Sequence, residues 1–197
     1  TDPEDLSPLL ARATVVAIGP GLGRDPWGLS LLERVLTEDK PLILDADALN
    51  CLAETGIRRE DWVLTPHPGE AARLLGCTTA EAQADRFATL RQLRGRYGGT
   101  VVLKGAGTLI LGPSHRPPGV CSQGNPGMAS GGSGDVLTGI IAALLARGLA
   151  VEDAAEAAVC LHAAAGDAAA GDGEEGMLAS DLITALRPTL NALGARP

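Results

Sequence analysis

The chain has 197 residues, 45% hydrophobic and 20% charged, a composition that fits one packed domain and not a disordered or collagen-like polypeptide. Sixteen basic against 24 acidic residues give a net charge of −8, and aromatics make up 2%, so neither the basic face nor the base-stacking platforms of a nucleic-acid binder are expected. No apolar run reaches the roughly 18–20 residues of a membrane span, and Thr1-Asp2-Pro3-Glu4-Asp5 lacks the pattern of a secretion signal.

Thr14–Ile18 reads as a buried strand. After a glycine-rich loop, Asp25-Pro26 has the form of an N-cap with Pro at the first helical position, opening a helix to about Leu36. Pro41–Leu44 is a second strand, with a short helix over 49–54. Trp62–Thr65 is a third, with a short helix over 70–75. Thr78 and Glu81 form a capping box that predicts one longer helix, with Phe87, Leu90 and Leu93 along one face. Thr100–Leu103 is a fourth strand, turning at Gly105–Gly107 into a hairpin with 108–111. A Gly-, Pro- and Ser-rich stretch follows, broken by a short strand near 119–121. Helices are then predicted over 136–146 and 151–170, and a last one from Ser180 that Pro188 disturbs. Apolar strands alternating with helices predict a largely parallel α/β sheet covered on both faces, in one domain over residues 1–197.

Cys51, Cys77, Cys121 and Cys160 form no CxxC pair, so neither a zinc site nor a redox motif is indicated, and lone thiols in apolar stretches fit a reducing cytoplasm. His115 and His162 receive no role.

Four polar or glycine-rich clusters each follow a predicted strand directly. They are Gly19–Gly23, Asp45–Asp47, Thr65–Glu70 and Lys104–Thr108. The carboxyl ends of parallel strands line one edge of a sheet, where ligands bind, so these clusters should converge on one cleft. Gly19–Gly23 allows close backbone approach, or is a plain strand-to-helix turn. His67 between two prolines suits orienting a ligand group, or is a surface turn histidine. Asp45 and Asp47 could hold a metal-bound water or a ligand hydroxyl, and Asp47 could equally cap a helix. Glu70 reads as a first-turn acid.

The segment Gly124–Asp135 runs directly into the apolar helix. Its small residues leave backbone N–H groups bare, and the helix end adds partial positive charge, which together suit a phosphate. Asp135, at the mouth of this hole, could take a proton from a substrate hydroxyl. The plainer reading is a helix cap.

GPGLGRD, LDADALN, LTPHPGEAARLL, VVLKGAGT and GNPGMASGGSGDVLTGIIAALLARG, in this order, resemble the NAD(P)H-hydrate dehydratase family of the ribokinase-like superfamily, from about Val15 to Leu186. The resemblance implies a lyase that uses ADP or ATP, with Mg²⁺, to restore hydrated NADH or NADPH, the GNPGMASGGSGD form pointing to ADP. By the same resemblance Asp135 is catalytic, and Gly21, Gly23, His67 and Asp135 contact the hydrated dinucleotide. Lys104, Gly105, Ala106, Gly107, Thr108, Asn125, Gly132 and Gly134 would contact the nucleotide. A homo-oligomer is implied, as is fusion to or cooperation with an NAD(P)H-hydrate epimerase. Family domains carry further chain before the first strand seen here, so the N-terminal strands of the sheet are expected to be absent. A vitamin-precursor kinase of the same superfamily, or an inactive nucleotide-binding module, would share the glycine-rich hole.

Overall fold

The computed structural model describes residues 3–114 and 116–194, so His115 lies outside the described residues. The described chain forms a six-stranded sheet in the order β1 (Val16–Ile18), β2 (Leu42–Leu44), β3 (Trp62–Leu64), β4 (Thr100–Leu103), β5 (Thr108–Leu111) and β6 (Gly119–Cys121). The first four strands are parallel, β5 pairs antiparallel with β4, and β6 antiparallel with β5.

Strand order equals chain order, and this decides where the helices go. Each crossover steps one strand in the same direction, and right-handed crossovers then put their helices on the same face. These are α2 (Pro26–Leu36), α3 (Ala46–Thr55), and the trio α4 (Pro68–Leu75), α5 (Thr79–Ala84) and α6 (Arg86–Tyr97). The other face is left for chain that follows the sheet. There α7 (Ser133–Ala146) packs on β1 and β2, and α8 (Val151–Ala169) on β3 to β6, with α9 (Ala179–Gly194) outside them.

The period-2 alternation of the strands divides the core accordingly. Leu42, Leu44, Trp62, Leu64, Val101 and Leu103 pack with Leu32, Leu49, Leu52, Leu74, Leu90 and Leu93 of the first helical layer. Ile43, Val63, Val102 and Ile110 pack with Leu137, Ile141, Ala154, Ala155 and Ala158 of the second. Full burial of each large side chain stabilises the fold by about 1.5–3 kcal/mol.

Several boundaries differ from the sequence reading. The acidic start is helical, with a 3₁₀ turn over Pro3–Leu6 and α1 over Ser7–Arg12. The long helix predicted from Thr78 is two helices. Asp85 ends α5 and accepts the Ala88 N–H at 2.9 Å as N-cap of α6, so a second cap restarts the chain. Phe87 falls in that new first turn and is exposed, while Thr89, Leu90, Leu93 and Tyr97 are the buried residues of α6. The helix α3 begins at Ala46 rather than 49, capped by Asp45. The last helix continues through Pro188 to Gly194.

Candidate active site

The parallel ladder continues one step past the strands and aligns their carboxyl ends. Asp45 N donates to the Ile18 carbonyl, Thr65 N to that of Leu44, and Lys104 N to that of Pro66, at 3.1, 3.2 and 2.9 Å. Gly19 sits at a close approach in this row: its φ is +133°, and a Cβ would lie 1.7 Å from the Asp45 carbonyl oxygen. Only glycine fits there.

A charged cluster occupies the middle of the edge. The Asp45 carboxylate, 1% exposed, accepts three donors: Ala46 N at 2.9 Å, Lys104 Nζ at 2.8 Å and Thr138 Oγ1 of α7 at 2.8 Å. Glu70 is buried, with Oε2 at 3.9 Å from Lys104 Nζ and Oε1 at 3.3 Å from His67 Nε2. His67 is the N-cap of α4. Its Nδ1 accepts from Gly69 N at 3.0 Å and Glu70 N at 3.3 Å, while its own N–H donates to Glu70 Oε2 at 2.8 Å. This reciprocal box uses Nδ1 as an acceptor, which leaves the ring proton on Nε2, facing Glu70.

The first turn of α7 lies against this cluster. Gly132, in the left-handed region, is its N-cap and supplies no capping side chain. Asp135 therefore does not cap the helix, and the plainer reading of it fails. Its carboxylate is exposed and has no hydrogen bond or ion pair among the described residues. A Cβ on Gly134 would stand 3.3 Å from Lys104 Nζ, so glycine lets the ammonium rest on the helix N-terminus. Beneath the turn, the buried His162 Nε2 donates to the Ser133 carbonyl at 3.0 Å. Burial holds the His162 pKa below the usual histidine value, against the pull of the Ser133 carbonyl, and the Lys104 ammonium adds to the lowering.

Asp135 looks into a cleft of about 540 Å³ whose walls include Gly19–Leu22, Trp27, Thr138 and Gly139. Trp27 is 46% exposed, unlike the fully buried Trp62. Gly21 lines the cleft, whereas the Gly23 N–H is held by Asp47 Oδ2 at 3.0 Å. Asp47 thus tethers the glycine loop. The Lys104–Thr108 turn is gripped from outside by the Arg86 guanidinium, which donates to the carbonyls of Ala106 at 2.6 Å, Leu103 at 3.2 Å and Lys104 at 3.4 Å. Thr108 Oγ1 closes the turn on the Gly105 carbonyl at 3.1 Å. Asn125 bonds Asp167 of α8 at 3.2 Å, with no hydrogen bond to the Lys104 cluster.

The structure thus brings His67, Lys104, Gly134 and Asp135 together at one sheet edge, with Gly19–Gly23 alongside. Glu70, Thr138, His162 and Arg86 had no functional reading from sequence. The H-P-G-E spacing of a capping box could have flagged Glu70. Nothing local marks the other three.

The model of the NAD(P)H-hydrate dehydratase family matches residues 2–188. The chain belongs to the NAD(P)H-hydrate dehydratase family. It is 54% identical over 189 residues to the Bifunctional NAD(P)H-hydrate repair enzyme Nnr of Coxiella burnetii, covering 95% of this chain and 38% of that protein. It is 49% identical over 164 residues to the ADP-dependent (S)-NAD(P)H-hydrate dehydratase of Neisseria meningitidis, covering 79% of this chain and 54% of that one. The chain therefore spans only part of the relatives it matches. Among solved structures, the ADP/ATP-dependent NAD(P)H-hydrate dehydratase from Bacillus subtilis, co-crystallized with ATP/Mg²⁺, superimposes with a TM-score of 0.80 at 31% identity, over 93% of this chain and 68% of that one.

Proposed function

We propose that this chain is the catalytic part of an ADP-dependent NAD(P)H-hydrate dehydratase. The nucleotide would sit along the Lys104–Thr108 turn, with Gly132, Gly134 and Asn125 on its phosphate side. The hydrated dinucleotide would enter the cleft at Gly21, with Gly23 and His67 shaping its approach. Asp135 takes the proton of the hydrate hydroxyl. The freed oxygen attacks the terminal phosphoryl group of ADP, breaking the phosphoanhydride and releasing AMP. Loss of a ring proton then expels phosphate and restores the ring double bond. Hydroxide is a poor leaving group and phosphate a good one, which is what the nucleotide contributes. Positioning and charge neutralisation carry most of such a transfer.

One observation carries the reading: an unpaired carboxylate stands one residue beyond a glycine that carries a lysine ammonium on the first turn of a helix. Amide dipoles and ammonium together favour a phosphoryl oxygen, while the carboxylate favours a proton donor.

The site also fits Mg²⁺ brought in with phosphates. Such an ion needs only one or two carboxylates beside the phosphate oxygens, and no group of three or more His, Cys, Asp or Glu that could hold a metal occurs among the described residues. No protein ligand is assigned to it, because Glu70 is bonded to His67 and Asp135 is kept for the proton; the ion would come held by the phosphate oxygens and offset their charge. We place the reaction in a reducing cytoplasm, in keeping with four free cysteines among the described residues. No helix among the described residues is long and apolar enough to cross a membrane. Assembly with further copies, and work beside an NAD(P)H-hydrate epimerase, belong to the same proposal.

The deciding experiment incubates the chain with hydrated NADH or NADPH and ADP. Recovery of reduced-nicotinamide absorbance with release of AMP is expected. A stable phosphorylated alcohol with no recovery would make the protein a kinase instead.

A further inference from the structure

We propose that Asp45 and Thr138 are positioning residues that lock the Lys104 ammonium to helix α7, so that the lysine and the α7 amides meet the transferring phosphoryl group as one rigid unit. The inference rests on the reading that the ADP phosphates occupy this turn.

The lock is visible in the bonding. Asp45 Oδ1 takes the Lys104 ammonium at 2.8 Å, and Oδ2 takes the Thr138 hydroxyl at 2.8 Å. Thr138 is on the helix whose N-terminus carries Gly134, while Lys104 directly follows β4 of the sheet. One carboxylate therefore spans the two bodies that must together contact a phosphate. A free lysine has a flexible four-carbon stem and much rotamer freedom. Its natural alternative is Glu70, whose Oε2 is 3.9 Å away, too far for a hydrogen bond yet close enough to draw the ammonium off. Asp45 holds it instead at the Gly134 side, where even a methyl group would stand 3.3 Å from Nζ.

The bonding also leaves capacity. An ammonium has three protons, and Asp45 is its one hydrogen-bond partner among the described residues. Two donors remain for ligand oxygens. Asp45 has far less to spare: it is buried, and Ala46, Lys104 and Thr138 take three of its about four acceptor sites, so in this proposal it orients the cation rather than meeting ligand. A buried ion pair adds little net stability over an apolar substitute. Holding a cation in register is a role an apolar pair could not fill.

The test is a double-mutant cycle on the full chain, read as ADP affinity by calorimetry, alongside turnover of the hydrate. Thr138→Val removes the hydroxyl and should weaken ADP about tenfold, in line with losing a hydrogen bond to a charged group. It should also lower kcat with ADP. Thr138→Ser keeps the hydroxyl and should restore both. Lys104→Met should weaken ADP more, and Thr138→Val added to it should weaken binding no further. Losses that multiply, or no rescue by Ser, would overturn the inference. If Thr138→Val unfolds, Asp45→Asn replaces it, with the same non-additivity with Lys104→Met expected and multiplying losses again overturning it. Coupled ADP binding without hydrate turnover would sink the proposed function and keep the lock. Turnover with uncoupled binding would do the reverse, and a native chain that binds no ADP would overturn both.

Discussion

The two sides of the α7 N-terminus are built in opposite ways. On the β4 side, Lys104, Asp45 and Thr138 are joined by short hydrogen bonds and mostly withdrawn from water. On the β1 side, Asp135 is exposed and unpaired, beside a loop of small residues and a half-exposed tryptophan. Under the proposed function the contrast separates two jobs. A cation that neutralises a phosphoryl group works best when its position is fixed before ligand arrives. A carboxylate that accepts a proton must be free to reach a hydroxyl that comes and goes.

The sharpest way to break this contrast is Asp135→Asn. It should lower kcat by about 10²–10⁴, the usual worth of a positioned general base, with ADP affinity unchanged, as calorimetry would report. Equal loss of both would make Asp135 structural. Next comes the backbone that aligns the two sides. Gly19→Ala drives a Cβ to 1.7 Å from the Asp45 carbonyl and forces a left-handed φ on alanine, so the chain should lose at least about 2–3 kcal/mol in urea unfolding. An unchanged midpoint would show that the loop is free to move.

A smaller effect should come from Arg86→Ala. Three carbonyls of the Lys104 turn would lose their shared donor, and ADP affinity should fall a few-fold, less than the full worth of one charged hydrogen bond because these contacts are partly exposed and act on the turn rather than on ligand. Turnover at saturating ADP should be preserved. The smallest effect concerns His162. Its pKa is depressed by burial, so the unfolded chain takes up a proton that the native chain refuses. Stability from this group is full above about pH 6.5, the ordinary histidine value, and declines as pH falls through it. Thermal melts of His162→Gln should therefore show a flatter acid limb than the native chain. A parallel pair of curves would mean that His162 protonates without penalty.

The parallel part of the sheet was legible in the sequence because each of its strands is a short, near-continuous apolar run ending in a polar or glycine-rich cluster, the pattern of a sheet covered on both faces. That Gly19, Asp45, His67 and Lys104 share one edge followed from the parallel arrangement alone. The pairing among them did not. Asp45 meets Lys104 and Thr138 across separations of 59 and 93 residues. Such contacts depend on which strand lies beside which and on how α7 crosses the sheet, and no local pattern encodes either. The role of Asp135 stayed open for a related reason. Both a cap and a free acid fit Gly-Asp before a helix, and the choice turns on the helix starting at Ser133, two residues earlier. Asp85, by contrast, was readable. An Asp before a helical run is a start signal, and it stands seven residues after the capping Thr78, within one run of helix-forming residues.

Chain-order strands also set a sequence in time. All crossovers among β1 to β4 lay their helices on one face, so a growing polypeptide can finish that layer while the opposite face still lies bare. Lys104 would then have its strand but no helix to lean on, and Asp45 would lack its threonine. The helix that completes the cluster thus comes after the whole sheet in the order of the chain. A product cut short before α7 would keep the sheet and its first helical layer without Thr138 or Asp135.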